Sequence, residues 1–278
     1  MTIDQIIEQA LIEDIGDGDH TSLSCIPATA NGKAKLLVKE KGILAGVEIA
    51  VKVFHKVDPG LKINILIKDG NAIQPGDIAF YVEGSSISIL SAERLVLNFM
   101  QRMSGVATAT HELSHLIKDT KAKILDTRKT TPLLREIEKM AVRIGGGFNH
   151  RMGLYDMIMI KDNHIDFAGG IEKAITSTHQ YLTSKNKKLF IEIEARNLDD
   201  VKEIIRVGGV QRIMLDNFTP EKLKEAVELI NGKYETEASG GIKKESIHDY
   251  AVTGVDFISV GAITHQIKSL DLSLKAVE

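Results

Sequence analysis

Apolar and polar positions follow two different patterns along the chain. Up to about residue 85 the pattern is mixed, and a stripe of Ile and Leu side chains predicts an amphipathic helix over 2–15. A second helix is predicted over 46–57. Turn sequences rich in Asp, Pro and Gly separate three runs that predict strands, at 33–39, 62–68 and 78–83.

A long helix is predicted over 88–118, and after it apolar runs alternate with helical stretches. The runs that predict strands are 122–126, 157–160, 189–193, 212–215, 234–238 and 256–260. The helical stretches between them are 199–207, 220–230 and 244–250. The last four strands begin 22 or 23 residues apart, which fits one strand, one helix and two short loops. This alternation indicates a parallel sheet and favours an α/β barrel, complete or partial, with an open doubly wound sheet as the alternative.

Composition narrows the class of protein. A chain of 278 residues fits one large barrel or two modest domains. The net charge of -3 argues against a nucleic-acid binder. Cys25 is the one cysteine, which excludes an internal disulfide and a cysteine-based zinc site and favours a reducing, cytoplasmic setting. The acidic N-terminus does not fit a signal peptide, and no apolar run approaches the roughly 18 residues that span a membrane.

Candidate chemistry lies where the predicted strands end. Active sites of parallel α/β barrels lie at the carboxyl ends of the strands, and here those ends are polar or rich in glycine. The opposite ends of the strands lack such residues, and this asymmetry indicates an enzyme. Cations recur at these ends, and so many positive groups repel one another unless an anion is bound. They are Arg128, Lys129, His150, Arg151 and Lys161.

Glycines and acids complete the set. Gly240 with Gly241, and later Gly261, each follow a strand and precede a helix, as in phosphate sites. Glu194 and Asp216 follow consecutive strands and suit either Mg²⁺ or a positive charge that develops on a sugar. Strand alternation places Glu192 and Glu194 on one face, so spacing does not choose between them. A Schiff base on Lys161 is an alternative, but it explains neither the cations nor the glycines.

Long ordered motifs carry a family resemblance across nearly the whole chain. They are DTRKTTP (126–132), GGGFNHRMGLYD (145–156), IKDNH (160–164), EIEA (192–195), LDNF (215–218), EASGGI (237–242) and SVGAITH (259–265). In these motifs the chain resembles the quinolinate phosphoribosyltransferases, also called nicotinate-nucleotide pyrophosphorylases (carboxylating).

The resemblance implies a fold, an activity and an assembly. The fold is an N-terminal α/β sandwich domain over 1–107, joined by the C-terminal tail 265–278, and an incomplete, seven-stranded parallel α/β barrel over 108–264. The activity converts quinolinate and phosphoribosyl pyrophosphate to nicotinate mononucleotide, pyrophosphate and CO₂ with Mg²⁺, in de novo NAD biosynthesis. The assembly is a homodimer or a group of dimers. Six barrel strands are counted from the pattern, so one implied strand is missing from it.

The resemblance also implies roles for individual residues. Arg128, His150, Arg151 and Lys161 resemble the quinolinate pocket, and Arg94 would come from the neighbouring subunit. The side chains on the phosphoribosyl pyrophosphate side would be Lys129, Glu194, Asp216, Ser239, Gly241 and Gly261, the first three of them catalytic. Mg²⁺ would be held mainly by the pyrophosphate, with Glu194 and Asp216 as candidate ligands.

Two other hypotheses stay open at this point. One is a related transferase of the kind encoded beside molybdate-transport components, against which the full set of Arg, His and Lys argues. The other is a non-catalytic phosphosugar-binding barrel, which would be expected to lack acids such as Glu194 and Asp216.

Overall fold

The computed structural model describes residues 1–277, and the chain divides into two compact units. The first unit contains Met1–His111, Lys129–Gly146 and the segment that begins at Ala262. The second contains Glu112–Arg128 and Gly147–Gly261. The domain boundaries expected from the sequence stay a prediction.

The described residues form both helices and strands in each unit. In chain order the elements are α1 (Ile3–Ile15), α2 (His20–Cys25), β1 (Asn31–Val38), β2 (Gly42–Ile43), α3 (Val47–Val57), β3 (Lys62–Ile65), β4 (Ala72–Ile73), β5 (Ile78–Ser85), α4 (Ser86–Leu116), β6 (Lys123–Leu125), α5 (Arg135–Ile144), β7 (Ile158–Ile160), α6 (Asp162–Ala168), α7 (Ile171–Ser184), β8 (Ile191–Ala195), α8 (Leu198–Val207), β9 (Arg212–Asp216), α9 (Pro220–Ile230), β10 (Glu235–Ser239), α10 (Ile247–Ala251), β11 (Phe257–Ser259), α11 (Ala262–His265) and β12 (Leu272–Val277).

The first unit contains a four-stranded antiparallel sheet in the order β12-β1-β5-β3. Alternate residues of β1, among them Leu36 and Val38, are buried, and Phe80 of β5 packs edge-on against Phe54 of α3 with ring centroids 5.9 Å apart. The strand predicted over 62–68 ends earlier, at Ile65. Two successive amides, those of residues 66 and 67, donate to the same carbonyl of residue 79, which breaks the ladder.

The second unit is built on a six-stranded parallel sheet in the order β6-β11-β10-β9-β8-β7. The five later strands lie side by side in chain order, and the first strand, β6, pairs with the last, β11. Pairing of first with last is the closure of a barrel, and it does not occur in an open doubly wound sheet. The sheet is thus an incomplete α/β barrel, interrupted between β6 and β7.

All six strands predicted for the barrel are present. In place of a seventh strand, residues 1–277 show a single parallel bridge between Leu125 and Phe148, on the free side of β6. The GGGF stretch therefore pairs with β6 at a single residue, Phe148, and does not form a strand. Three of the predicted helices begin at side-chain caps, where Thr2, Asn197 and Thr219 accept backbone amides of the first turn.

No helix of residues 1–277 is both long enough and apolar enough to cross a membrane. The 31-residue α4 would have the length, but charged side chains such as Glu93, Arg94 and Arg102 interrupt it.

Candidate active site

The interior of the barrel carries charged side chains in place of the usual aliphatic layers. Glu192 of β8 is in register with Arg212 of β9, which is in register with Glu235 of β10. Because strand side chains alternate, Glu194, two positions beyond Glu192, and Asp216, four positions beyond Arg212, share this face. The opposite face carries apolar residues such as Ile193, which pack under the helices. The charged face is therefore the inside of the barrel.

His150 lies deep in this interior between two carboxylates. Its Nε2 atom is 2.9 Å from Glu192 Oε2 and 3.4 Å from Glu237 Oε2, and both glutamates are fully buried. Buried carboxylates are tolerated where cations neutralise them. His150 therefore contacts an internal ion network, and its side chain is only 4% exposed.

Arg212 supplies the second cation of this network. It donates from Nη1 to Glu237 (3.0 Å) and from Nε and Nη2 to Glu235 (3.0 and 2.8 Å). Its guanidinium stacks on Phe257, with the carbon 4.1 Å from the ring centroid. The charges thus run without a break from His150 through the two buried carboxylates to Arg212 and Glu235.

The network changes the acidity of its members. Burial by itself would lower the pKa of His150, but pairing with Glu192 and Glu237 outweighs it and raises that pKa to about 9. Burial, together with the neighbouring Glu237, raises the pKa of Glu192 to about 7. Burial would also raise the pKa of Glu237, but His150 and Arg212 outweigh it and lower that pKa.

One contact opposes a charged imidazole. The backbone N–H of Arg151 donates to Nδ1 of His150 (2.7 Å), which favours a neutral ring with its proton on Nε2. The two carboxylates favour the imidazolium. The carboxylates dominate, because Arg212 is shared with Glu235 and two buried carboxylates need a second cation.

Arg151 follows His150 in the chain and lies near a second arginine, Arg128. Burial and the charge of neighbouring Arg128 lower the pKa of Arg151, so the two guanidinium groups are close enough to repel each other. Arg151 donates from Nη1 to the carbonyl of Met157 (3.3 Å). Asp156 accepts the amides of residues 152 and 153 at 2.8 Å each and closes the loop after Arg151. Converging guanidinium groups form a site for an anion, and their planar geometry suits carboxylates.

Asp126, at the end of β6, holds the chain that carries His150. It is fully buried, accepts the backbone N–H of His150 on Oδ1 (2.9 Å) and accepts the side-chain amide of Asn149 on Oδ2. The Asp126 carboxylate therefore positions Asn149 and His150, which precede Arg151. The sequence prediction did not select it, although a buried acid at the end of an apolar strand is a signal for such a role.

A second group of charges lies at the ends of β7, β8 and β9. Lys161 Nζ is 3.9 Å from Glu194 Oε2. Burial and the charge of Asp216 raise the pKa of Glu194, and Lys161 opposes them. The structure thus distinguishes the two glutamates of β8, since Glu192 contacts the histidine and Glu194 adjoins Lys161 and Asp216. Paired carboxylates of this kind suit Mg²⁺ or a developing positive charge.

The glycine loop after β10 touches the end of β9. A Cβ on Gly240 would lie 2.2 Å from Oδ1 of Asn217 and 2.9 Å from its backbone nitrogen, and φ of Gly240 is 95°. Only glycine fits there. Asn217 in turn donates its side-chain amide to Asp216. Gly241 has φ of 62° and open space within 4 Å of where its Cβ would be, so this glycine is not held by a close contact as Gly240 is.

The remaining predicted residues lie elsewhere in the chain. Gly261 is half-buried and follows β11 at the last residue of the second unit. Lys129 and Arg94 belong to the first unit. Arg94 is an exposed residue of α4. Lys129 is exposed in the segment before α5, and its carbonyl accepts the hydroxyl of Thr264 (2.8 Å).

Comparison with known proteins decides the family. The family described as "Quinolinate phosphoribosyl transferase, C-terminal domain" matches residues 106–275, and its N-terminal counterpart matches residues 19–104. The chain belongs to the quinolinate phosphoribosyltransferase family. The resemblance inferred from the motifs is thereby confirmed.

Individual relatives agree with this assignment over almost the full chain. A chloroplastic nicotinate-nucleotide pyrophosphorylase [carboxylating] of Arabidopsis thaliana is 48% identical over 97% of this chain and 81% of its own length. A probable nicotinate-nucleotide pyrophosphorylase [carboxylating] of Bacillus subtilis is 41% identical over 99% of this chain and 93% of its own. The structure of the nicotinate-nucleotide pyrophosphorylase from Francisella tularensis has a TM-score of 0.92, with 42% identity over 99% of this chain and 96% of that chain.

Sequence reasoning missed three members of the site in addition to Asp126. Arg212 begins its strand, so a search of strand ends passes over it, and Glu235 precedes Glu237 on the same inward face. Glu237 occurred only inside a motif. Charged residues at alternate positions of buried strands are the signal that finds all three.

Proposed function

We propose that this protein transfers the phosphoribosyl group of phosphoribosyl pyrophosphate to quinolinate, with loss of CO₂, to give nicotinate mononucleotide and pyrophosphate in NAD biosynthesis. The observation that carries the proposal is a group of charges at the barrel, in which Arg128 lies near Arg151 and Lys161 lies near the carboxylates of Glu194 and Asp216. Quinolinate is a dicarboxylate, and the phosphoribosyl donor is a polyanion that becomes cationic at its anomeric carbon. The two halves of the site have the charges that these two substrates require.

The cations bind and orient the acid substrate. Arg128 and Arg151 present planar groups that hold carboxylates by two hydrogen bonds, and Lys161 offers a compact charge. His150, the fourth residue of this set, precedes Arg151 in the chain and is paired with Glu192 and Glu237. In this role the four residues orient the pyridine nitrogen towards the sugar and need not exchange protons.

The carboxylates act on the sugar donor. The pyridine nitrogen bonds to the anomeric carbon as the bond from that carbon to pyrophosphate breaks. Positive charge therefore develops on the sugar at the anomeric carbon during the transfer. Glu194 and Asp216 stabilise this charge. The backbone amides beside Ser239, Gly241 and Gly261 provide the contacts that a phosphate group accepts, and Lys129 binds the pyrophosphate.

Mg²⁺ is part of the proposal. The oxygen donors of Glu194 and Asp216 match the preference of this ion, which would be held mainly by the pyrophosphate. When bound, it neutralises charge on the leaving group. The residues of this chain perform the binding and orientation steps described above.

Decarboxylation follows transfer in this account. Once the ring nitrogen carries the sugar it is positively charged, and it stabilises the electron pair left at the adjacent carbon when CO₂ departs; that carbon then takes a proton. Release of labelled CO₂ from carboxyl-labelled quinolinate should therefore require phosphoribosyl pyrophosphate. Equal release without the sugar donor would contradict this order.

We also propose a cytoplasmic homodimer, or an assembly of dimers, in which Arg94 of one subunit completes the quinolinate site of the other. The exposure of Arg94 on α4 supports this role. In verified heterodimers, one R94A subunit and one K161A subunit should regain part of the activity, because one of the two sites then has both residues. Heterodimers as inactive as the two parent variants would refute the shared site.

A further inference from the structure

An ion pair with a buried carboxylate lies in the first unit. Glu138 of α5 is fully buried, and its Oε1 accepts from both Nε (3.1 Å) and Nη2 (2.8 Å) of Arg102 on α4. Its second oxygen accepts the backbone N–H of Thr131 (3.1 Å). A buried carboxylate is stable only with such partners, so the position of Thr131 is tied to that of the ion pair.

The same arginine reaches a third part of the chain. Its Nη2 donates to the carbonyl of Thr264 in α11 and to the hydroxyl of Thr131 (3.3 Å). The buried hydroxyl of Thr264 donates to the carbonyl of Lys129 (2.8 Å). We call Arg102, Glu138 and Thr264 the loop anchor.

The loop anchor holds the backbone on both sides of residue 130. It binds the carbonyl of Lys129 and the amide of Thr131, while Arg135 Nε donates to the hydroxyl of Thr130 (3.0 Å). Residues 129–131 have no helix or strand hydrogen bonds, so these contacts replace a regular ladder. The contacts to Lys129 and Thr131 bind main-chain atoms, and the Lys129 side chain is exposed.

A lysine has a long flexible stem, and its ammonium group is directed at a ligand only if its Cα atom is fixed. We propose that Arg102, Glu138 and Thr264 are positioning residues that fix the main chain of Lys129 for binding the pyrophosphate of the sugar donor. This inference rests on the proposed function, since that function supplies the ligand of Lys129.

A double-mutant cycle tests the inference, with T264V, K129A and their combination. Valine has nearly the shape of threonine but lacks the hydroxyl, and T264S, which keeps the hydroxyl, is the matched control. Binding of phosphoribosyl pyrophosphate is measured by calorimetry, and thermal unfolding verifies that each variant is folded. T264V is expected to weaken binding about fivefold, the effect of one lost hydrogen bond. T264S is expected to bind like the wild type.

The decisive comparison is the effect of T264V in the wild type with its effect in K129A. In K129A, adding T264V is expected to change affinity by less than about twofold, because the lysine through which Thr264 acts is already gone. Equal losses in both backgrounds, or no loss from T264V in the wild type, would overturn the inference. A wild-type protein that does not bind phosphoribosyl pyrophosphate would instead refute the proposed function, and this inference would fall with it.

Discussion

Replacement of Glu192 by glutamine tests whether the internal network keeps His150 charged. The pKa of His150 is raised from 6.5 to about 9, which corresponds to roughly 3 kcal/mol in favour of the imidazolium at about 1.4 kcal/mol per pKa unit. Two carboxylates share this effect, and Glu192 is the nearer at 2.9 Å. Removing its charge should therefore remove about half of the effect and bring the pKa of His150 to about 8 or below.

The assay is nitrogen NMR of ¹⁵N-histidine-labelled protein titrated with base. The chain has nine histidines, and the signals of His150 are those absent from an H150Q sample. Both ring nitrogens should report an imidazolium in the wild type at neutral pH. E235Q is the matched control, because Glu235 binds Arg212, whereas His150 contacts Glu192 and Glu237. The pKa of His150 in E235Q should stay near the wild-type value.

Two results would refute this reasoning. One is a neutral ring in the wild type at pH 7, with the proton on Nε2, which would mean that the backbone N–H of Arg151 dominates over the carboxylates. The other is an unchanged pKa of His150 in E192Q.

Three further predictions concern stability and binding. The pKa of His150 in the folded protein lies above the unfolded value of 6.5, so protonation of His150 stabilises the fold by about 3 kcal/mol below pH 6.5. This stabilisation is lost as pH rises through about 9. Urea unfolding across this pH range should show the loss in the wild type but not in H150Q. G240A should lower the free energy of unfolding by about 1–3 kcal/mol and weaken binding of phosphoribosyl pyrophosphate, because the added Cβ has no room, whereas G241A should have milder effects. Thermal unfolding measures the first effect and calorimetry the second. Equal effects of the two substitutions would count against the close contact at Gly240. R128A should weaken quinolinate binding about 10- to 100-fold, the effect of a lost charge-assisted hydrogen bond, and leave the sugar donor within about twofold; equal losses for both ligands in calorimetry would contradict the assignment of Arg128.

The barrel strands could be predicted because each is a short apolar run at regular spacing, and the structure places all six within a few residues of the prediction. Helix α7 could not, since its sequence mixes Thr, Ser, His and Gln into the apolar stripe and it begins without a side-chain cap. The seventh strand of the resemblance is reduced to one bridge at Phe148, where three glycines precede it and supply no side chains for a strand pattern.

The candidate site divides in a similar way. Residues at strand ends, such as Arg128, Lys161 and Asp216, follow from chain position and barrel geometry alone. The partners of His150 do not, because Glu192 and Glu237 come from two strands whose register is set by the folded sheet. Local pattern placed Glu192 and Glu194 on one face, and only long-range contacts distinguish the carboxylate that pairs with His150 from the one that lies near Lys161.

The central claim is tested most directly by incubating the purified protein with quinolinate, phosphoribosyl pyrophosphate and Mg²⁺ and measuring nicotinate mononucleotide by mass spectrometry. The account predicts nicotinate mononucleotide with quinolinate, and none when nicotinate, which lacks the second carboxylate, replaces it. Absence of this product from folded protein, or equal product from nicotinate, would contradict the proposed function.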